Sequence, residues 1–365
     1  MEKKRLNSNN IRKRVIGHTA LNLEQSSSDS RFSIPSTETR NPKPETQNSE
    51  LRVLFVCSKN SGRVVPFIAE QAESIRRLGY TVVFFTIEGK GIAGYLKNYS
   101  SFRKKVKDFS PDIIHAHYGL SCLFANMQRK VPVVSTYHGS DINNKRVFCL
   151  SKIAIKLSKL NIFVSEKTRN IATPLISLNK ERKRKNVLIP CGVDTELFVP
   201  MDKLDARKRL ALNPEGKYVL FAGAFDNEVK NPALALASVG LLANVDLIEL
   251  KGYSREEVVR LMNAVDVCLM TSHTEGSPQF IKEAMACNCP VVSVPVGDVP
   301  EVLRDVEGCF LVDYDAKQVA SQLQKALIFG DRTQGRAVIE ERKLGLMQVA
   351  ERIGEVYGEV IVYSL

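Results

Sequence analysis

From residue 51 onward, apolar residues fall in short unbroken runs separated by helix-length stretches. "LRVLFVCS" is followed by "PFIAEQAESIRRLG", spaced as a helix, and then by "YTVVFFTI"; "DIIHAHY", "VPVVSTYH", "NIFVSE" and "NVLIP" continue the rhythm. Strands apolar on both faces, alternating with helices, predict parallel sheets covered by helices. The pattern breaks at "IPCGVDTELFVPMDK" (189–203), where Pro190, Gly192 and Pro200 punctuate it. It resumes in "KYVLFAGAF", "VDLIELKG", "DVCLMTS", "PVVSVPVG" and "GCFLVD". The predicted fold class is therefore α/β: two doubly wound parallel-sheet units, residues 51–195 and 196–345, with 346–365 as a closing helix. Two such units leave a cleft, and open α/β sheets bind ligands beyond the carboxyl ends of their strands.

Residues 1–50 break this rhythm. Their Ser, Thr, Asn, Pro and Glu, with few large apolar groups, cannot bury enough surface to offset ordering entropy, so a disordered extension is expected. Overall, 44% hydrophobic and 25% charged residues describe an ordinary globular chain of 365 residues. No run reaches the roughly 18 apolar residues of a membrane span, and the N-terminus carries no apolar signal segment. The eight cysteines are scattered, and Cys287 and Cys289 have no second pair to complete a zinc site, so free thiols and a cytoplasmic setting are expected.

Charge changes the picture more. The net +12 resolves into +16 over residues 51–195 and −7 over 196–365, so the first unit is the one expected to meet an anionic partner. Along "IAGYLKNYSSFRKKVK" (92–107), Ile92, Leu96, Tyr99, Phe102 and Val106 recur at helical spacing among five cations. Two readings stay open: a helix packed on the sheet with a charged outer face, and a basic amphipathic helix on an anionic membrane. A second basic run, "KERKRKN" (180–186), adds to the same charge. No nucleic-acid motif is present, and nucleic acid is not expected as a partner.

The candidate chemistry lies in "TEGSPQFIKEAMACNCPVVS" (274–293). Glu275 follows a strand end, Ser277 suits an N-cap and Pro278 the first helical turn. Phe280, Ile281, Ala284, Met285 and Cys287 share an apolar arc, with Gln279, Lys282 and Glu283 off it. A helix N-terminus suits a phosphate. Glu283 lies five residues beyond Pro278, about 7 Å along the axis, roughly the offset from a diphosphate to its ribose. A solvated helix start with two stray carboxylates fits the spacing equally well.

The run "EGSPQFIKEAMACNCPVVSVPVGDVPEV", with "DIIHAHYG", "STYHGSD", "IPCGVD" and "LMNAVDVCLMTSHTEGSP", resembles the retaining glycosyltransferases of family 4, of GT-B architecture, across residues 51–360. The resemblance implies that Glu283 binds the ribose of a nucleotide-diphosphate-sugar donor and that Glu275 contacts its sugar. It implies no cofactor and no metal, the departing phosphate being met by basic side chains and helix dipoles. Lys230 matches the family's diphosphate lysine, whereas Ala224 stands where an arginine is expected, with Lys251 or Arg63 as candidate substitutes. Gly62 (in the Ser61–Gly62 loop), Gly252, Gly276, Ser277, Pro278 and Gln279 complete the implied donor site. His138 matches a position touching donor sugar or acceptor; His117, at a strand's carboxyl end, Arg63 and Asp141, as polar partner or helix cap, are expected on the acceptor side, and His115 is expected to pack or cap. The implied acceptor is a hydroxyl, lipid-linked in one reading, and the implied setting bacterial polysaccharide or glycolipid synthesis, with Glu275 positioning the sugar rather than attacking it. The rivals are a GT-B nucleotide-sugar 2-epimerase and a catalytically weak nucleotide-sugar-binding protein.

Overall fold

The computed structural model describes residues 51–60, 62–172 and 186–362. The expected disordered extension, Ser61 and residues 180–185 of the second basic run lie outside them.

Six parallel strands form the first sheet: β1 (Arg52–Ser58), β2 (Thr81–Ile87), β3 (Ile113–His117), β4 (Val133–Tyr137), β5 (Leu160–Phe163) and β6 (Asn186–Leu188), in the order β2-β1-β3-β4-β5-β6. Five form the second: β7 (Lys217–Phe221), β8 (Val245–Glu249), β9 (Val267–Met270), β10 (Val291–Ser293) and β11 (Phe310–Leu311), in the order β11-β10-β9-β7-β8. Each sheet reverses direction beside its first strand, and the crevice at such a reversal opens at the carboxyl ends. The interior positions of β1, β3, β4, β5, β7 and β9 are buried on both faces, which is why their sequences read as continuous apolar runs. All eight cysteines are free thiols, and six are buried.

The chain crosses between the lobes twice. It leaves β6 through Ile189–Val193, and returns at Leu344–Leu346 to begin the Leu346–Val362 helix. The two crossings pair: Val193 N–H donates to Leu344 O and Leu346 N–H to Val193 O, both at 2.9 Å. The returning helix then packs on the first lobe, where Val349, Ile353, Val356 and Tyr357 join Val53, Phe55 and Ile75 in one core. Tyr357 reaches furthest, its hydroxyl 2.6 Å from His115 Nδ1.

The basic segment differs from the single amphipathic helix its periodicity predicts. Two helices, Gly91–Lys97 and Tyr99–Phe109, meet at Asn98, whose Nδ2 donates to Gly94 O and Glu88 O, both at 2.8 Å. The break rotates the first helix, so Tyr95 enters the core with Phe102, while Ile92 and Leu96 face solvent. Among the described residues no helix is long and apolar enough to cross a membrane.

Candidate active site

A cavity of about 490 Å³ opens where the carboxyl ends of the two sheets face each other. Its first-lobe wall includes Phe67 and Glu70 from the Pro66–Arg77 helix after β1, Tyr118 after β3, and His138 after β4. The second lobe contributes Lys230, Arg255 and the continuous stretch Thr274–Phe280, with Glu283.

The 274–283 stretch folds much as its residue types dictate, with one shift. The helix runs Gln279–Ala286 and Pro278, with extended ψ, precedes it. Ser277 therefore does not cap the helix. Its hydroxyl donates to Asp298 Oδ2 (2.6 Å) and accepts from Lys282 Nζ (2.5 Å) and from Cys191 N–H (3.0 Å). Lys282 is wholly buried and also donates to Asp298 Oδ2 at 2.7 Å. Lys282 and Asp298 thus clamp the loop ahead of the helix, a role that spacing off the apolar arc does not announce. No side chain caps the helix, so the backbone N–H groups of its first turn have no side-chain acceptor.

Both glutamates line the cavity, each with a cation. Lys230 Nζ donates to Glu275 Oε1 at 2.7 Å. The lysine stem lies across Gly223, where an added Cβ would meet Lys230 Cγ at 2.7 Å. Thr271 Oγ1 lies 3.0 and 2.9 Å from Lys230 O and Asn231 O, tying the lysine loop to the end of β9. Glu283, nearly inaccessible, accepts from Arg255 Nη1 at 2.5 Å. Burial raises the Glu283 carboxyl above the usual carboxylate range, and Arg255 opposes that shift.

The lobes meet closely at Gly139 and Gly276, and Gly297 backs Gly276 from within the second lobe. A Cβ on Gly276 would lie 2.0 Å from His138 O, one on Gly139 would lie 2.7 Å from Gly276 Cα, and one on Gly297 would lie 2.3 Å from Gly276 O. Gly139 and Gly297 have φ of +107° and +61°, which L side chains rarely adopt. Asn143 Nδ2 reinforces the junction by donating to Thr274 Oγ1 at 2.9 Å.

Several expected positions lie elsewhere. His117 is wholly buried behind His138, with its Nδ1 3.2 Å from His138 Nε2 and the rings stacked at 5.4 Å, so it does not line the acceptor side of the cavity. His138 lines the cavity, but its Nε2 meets His117 and its Nδ1 lies 3.8 Å from Cys191 Sγ, so both ring nitrogens face protein. Burial lowers all three clustered histidines, His115 and His138 to about 3 and His117 well below its usual value, leaving them neutral. His115 packs, between Tyr357 and Thr136. Asp141 is buried below the cavity rather than facing an acceptor, and accepts from the N–H groups of Gly119, His138 and Gly139. Burial pushes its carboxyl up to about 6 against the pull of those donors.

Gly62, Arg63 and Gly252 are exposed and none lines the cavity. Lys251 pairs with Asp226 on the surface at 2.6 Å, so it supplies no charge to the site. Ala224 likewise brings none. The residue that sequence reasoning missed is Arg255, the first residue of the Arg255–Ala264 helix, fixed there by a Ser254–Glu257 capping box. Its signal was present: it begins the helix after β8, at a strand's carboxyl end. Glu70 and Tyr118 were also missed, the latter held at φ +69°, uncommon for an aromatic residue.

Family models match both lobes: one described as Glycosyltransferase Family 4 over residues 52–197, and one described as Glycosyl transferases group 1 over residues 219–328. D-inositol 3-phosphate glycosyltransferase of Mycobacterium marinum is 27% identical over 269 residues, 61% of this chain and 57% of that protein. A putative teichuronic acid biosynthesis glycosyltransferase of Bacillus subtilis is 23% identical over 251 residues, 60% of this chain and 62% of its own length. The match to these curated relatives thus spans about six-tenths of their length. Among solved structures, sucrose-phosphate synthase of Thermosynechococcus elongatus superposes with a TM-score of 0.75 at 18% identity, covering 86% of this chain and 100% of that one. Anabaena HepE in complex with UDP and glucose gives 0.65 at 16% identity, covering 85% and 100%. These two likenesses concern the fold, which is GT-B.

Proposed function

The chain belongs to glycosyltransferase family 4, and on that premise we propose that it transfers a sugar from a nucleotide-diphosphate donor to a hydroxyl acceptor with retention of configuration. The observation carrying this reading is the arrangement around one helix start: Glu283 inside the cavity, Glu275 at its other side paired with Lys230, and between them a helix start that no side chain caps. In this reading ribose hydroxyls donate to Glu283, and the diphosphate sits at Ser277–Gln279 with Lys230. Glu275 faces the sugar. Bound to a lysine ammonium, Glu275 is a poor nucleophile and a good electrostatic support for positive charge developing at the anomeric carbon.

The step assigned here is front-face. The bond from the anomeric carbon to the phosphate oxygen breaks as the acceptor oxygen attaches on the same face. The departing phosphate takes the acceptor's proton, so no side chain of the chain need act as base. His138, neutral and bonded to His117 and Cys191, contributes shape and packing rather than charge.

The same reading places the protein in the cytoplasm, touching the inner face of an anionic membrane where a lipid-linked acceptor would be met. Leu96 and Met127 stand exposed along a groove that also carries Arg103, Lys104, Lys107, Arg129 and Lys130. Such a mixture of apolar and cationic groups suits an anionic lipid surface. Co-sedimentation with vesicles containing phosphatidylglycerol, and not with phosphatidylcholine alone, is the expected result.

The donor assignment is tested by thermal shift and transfer assays across UDP-, GDP- and ADP-sugars with the wild type and Glu283→Ala. At least one donor should stabilise the wild type and fail to stabilise the variant. Equal responses would remove Glu283 from the site, and no response from any donor would overturn the reading.

A further inference from the structure

Arg255 binds carboxylates of both lobes at once. Its Nη1 donates to Glu283 Oε1 at 2.5 Å, and its Nη2 meets Glu70 Oε1 of the first lobe at 3.0 Å. The guanidinium carbon sits 4.7 Å from the Phe198 ring centroid. Its Nε is buried without an acceptor. A buried donor left unsatisfied costs free energy, so this resting arrangement is incomplete and yields to a better acceptor.

Charge makes the same point. Three carboxylates (Glu70, Glu275 and Glu283) and two cations (Lys230 and Arg255) line the cavity, an excess of one negative charge. Lys230 is held by Glu275 and Arg255 by the other two. A diphosphate entering this cavity as it stands would meet no uncommitted side-chain cation among its lining residues. A ribose diol, however, donates to Glu283 and satisfies the oxygen that Arg255 now occupies. The base of the Arg255 side chain is fixed at a capped helix start, and only its long flexible stem must move.

Resting on the donor reading above, we propose that Arg255 is a second diphosphate-binding residue, released from Glu283 by the ribose and transferred to the phosphates of the same nucleotide. One nucleotide thereby dismisses the guanidinium with its sugar ring and captures it with its charge. A guanidinium is suited to this exchange because it binds carboxylate and phosphate with the same fork of donors. The arrangement also predicts discrimination: a nucleoside alone must break the Arg255–Glu283 contact with no phosphate to compensate, so it binds poorly.

Titration calorimetry on the full chain, with UDP, GDP and ADP and their matching nucleosides, tests this with Arg255→Met and Arg255→Lys. For the diphosphate that binds the wild type, Arg255→Met should weaken affinity about tenfold to a hundredfold, the scale of a charge-assisted hydrogen bond. Its effect on the matching nucleoside should stay under about threefold or reverse in sign. Arg255→Lys, which keeps the charge without the fork, should fall between and serves as the folded control if the methionine variant does not fold. Unchanged or tighter diphosphate binding by the variants would make Arg255 only a latch. Equal losses of nucleoside and diphosphate would make it only a support for Glu283. Either result overturns the proposal while leaving the donor reading intact; failure of every nucleoside diphosphate to bind the wild type would overturn both.

Discussion

Lys282 Nζ lies 2.7 Å from Asp298 Oδ2, with the lysine side chain wholly sealed from solvent and the aspartate nearly so. Removing one member of such a pair leaves the other charge buried and uncompensated. Lys282→Met is expected to cost about 3–5 kcal/mol, read as a lower urea midpoint. Adding Asp298→Asn should restore much of the loss. A single variant as stable as wild type would show that water reaches the pair.

The Lys230–Glu275 contact divides binding from chemistry. Glu275→Gln should lower kcat about 10²–10³-fold, as loss of a preorganised electrostatic group does, while the affinity for the sugar-free nucleoside diphosphate changes by less than about threefold. Lys230→Met should weaken that affinity by about tenfold. Calorimetry paired with transfer rates distinguishes the two. If Glu275→Gln weakened the sugar-free nucleotide as much as the nucleotide sugar, Glu275 would not face the sugar.

Steric contact between the lobes gives a third prediction. In Gly276→Ala the new methyl group would lie 2.0 Å from His138 O, so the two lobes' loops must separate. Transfer activity should drop by about 100-fold or more, since small misplacements cost on that scale, while circular dichroism stays native. Gly62→Ala, whose Cβ meets nothing within 4 Å, should cost only the backbone strain of its φ of +86°, about 1–2 kcal/mol. Comparable activities in the two variants would contradict the close approach.

Acid stability should follow the histidine cluster. His115 and His117 are buried and neutral, with folded-state values of about 3 for His115 and well below 6.5 for His117, against 6.5 when unfolded. A base whose folded value is depressed loses stability as pH falls below its unfolded value, because the unfolded chain then takes up protons that the folded chain refuses. Between pH 6.5 and about 3 His115 contributes up to one proton of uptake, and His117 adds uptake of the same sign below pH 6.5. Asp141, raised from 3.8 to about 6, works in the opposite direction: the folded state binds its proton first, so its contribution grows as pH falls through 6. Glu70 and Glu283, also raised by burial, act in the same direction as Asp141, so the histidine contribution is read from a variant rather than from the net slope. His117→Gln should reduce the slope of the urea midpoint against pH; an unchanged slope would mean that His117 titrates normally.

Much of the fold was legible because parallel strands buried on both faces write themselves as unbroken apolar runs, and β1, β3, β4 and β7 do so. Glu275 and Glu283 were legible because a strand end, a proline and a helix start fix their spacing. Arg255 and Glu70 were not, since they meet only when two lobes, far apart in sequence, face each other. Lys282 was obscure for another reason: a lysine off the apolar arc looks solvated until Asp298, sixteen residues later, folds over it. His117 misled because a strand's carboxyl end carries some side chains into the cleft and others behind it. The helix break at Asn98 escaped the periodicity because Ile92 and Leu96 keep helical spacing with Tyr99 and Phe102 even though they turn outward.

The paired crossings at Val193 and Gly345 make the junction between the lobes a double strand rather than a single thread. The two crossings thus form one hydrogen-bonded spine that joins the lobes beside the Arg255–Glu70 and Asn143–Thr274 contacts. Cutting the chain at this spine would not release two finished halves, because the first would lose the Tyr357 helix that covers its sheet.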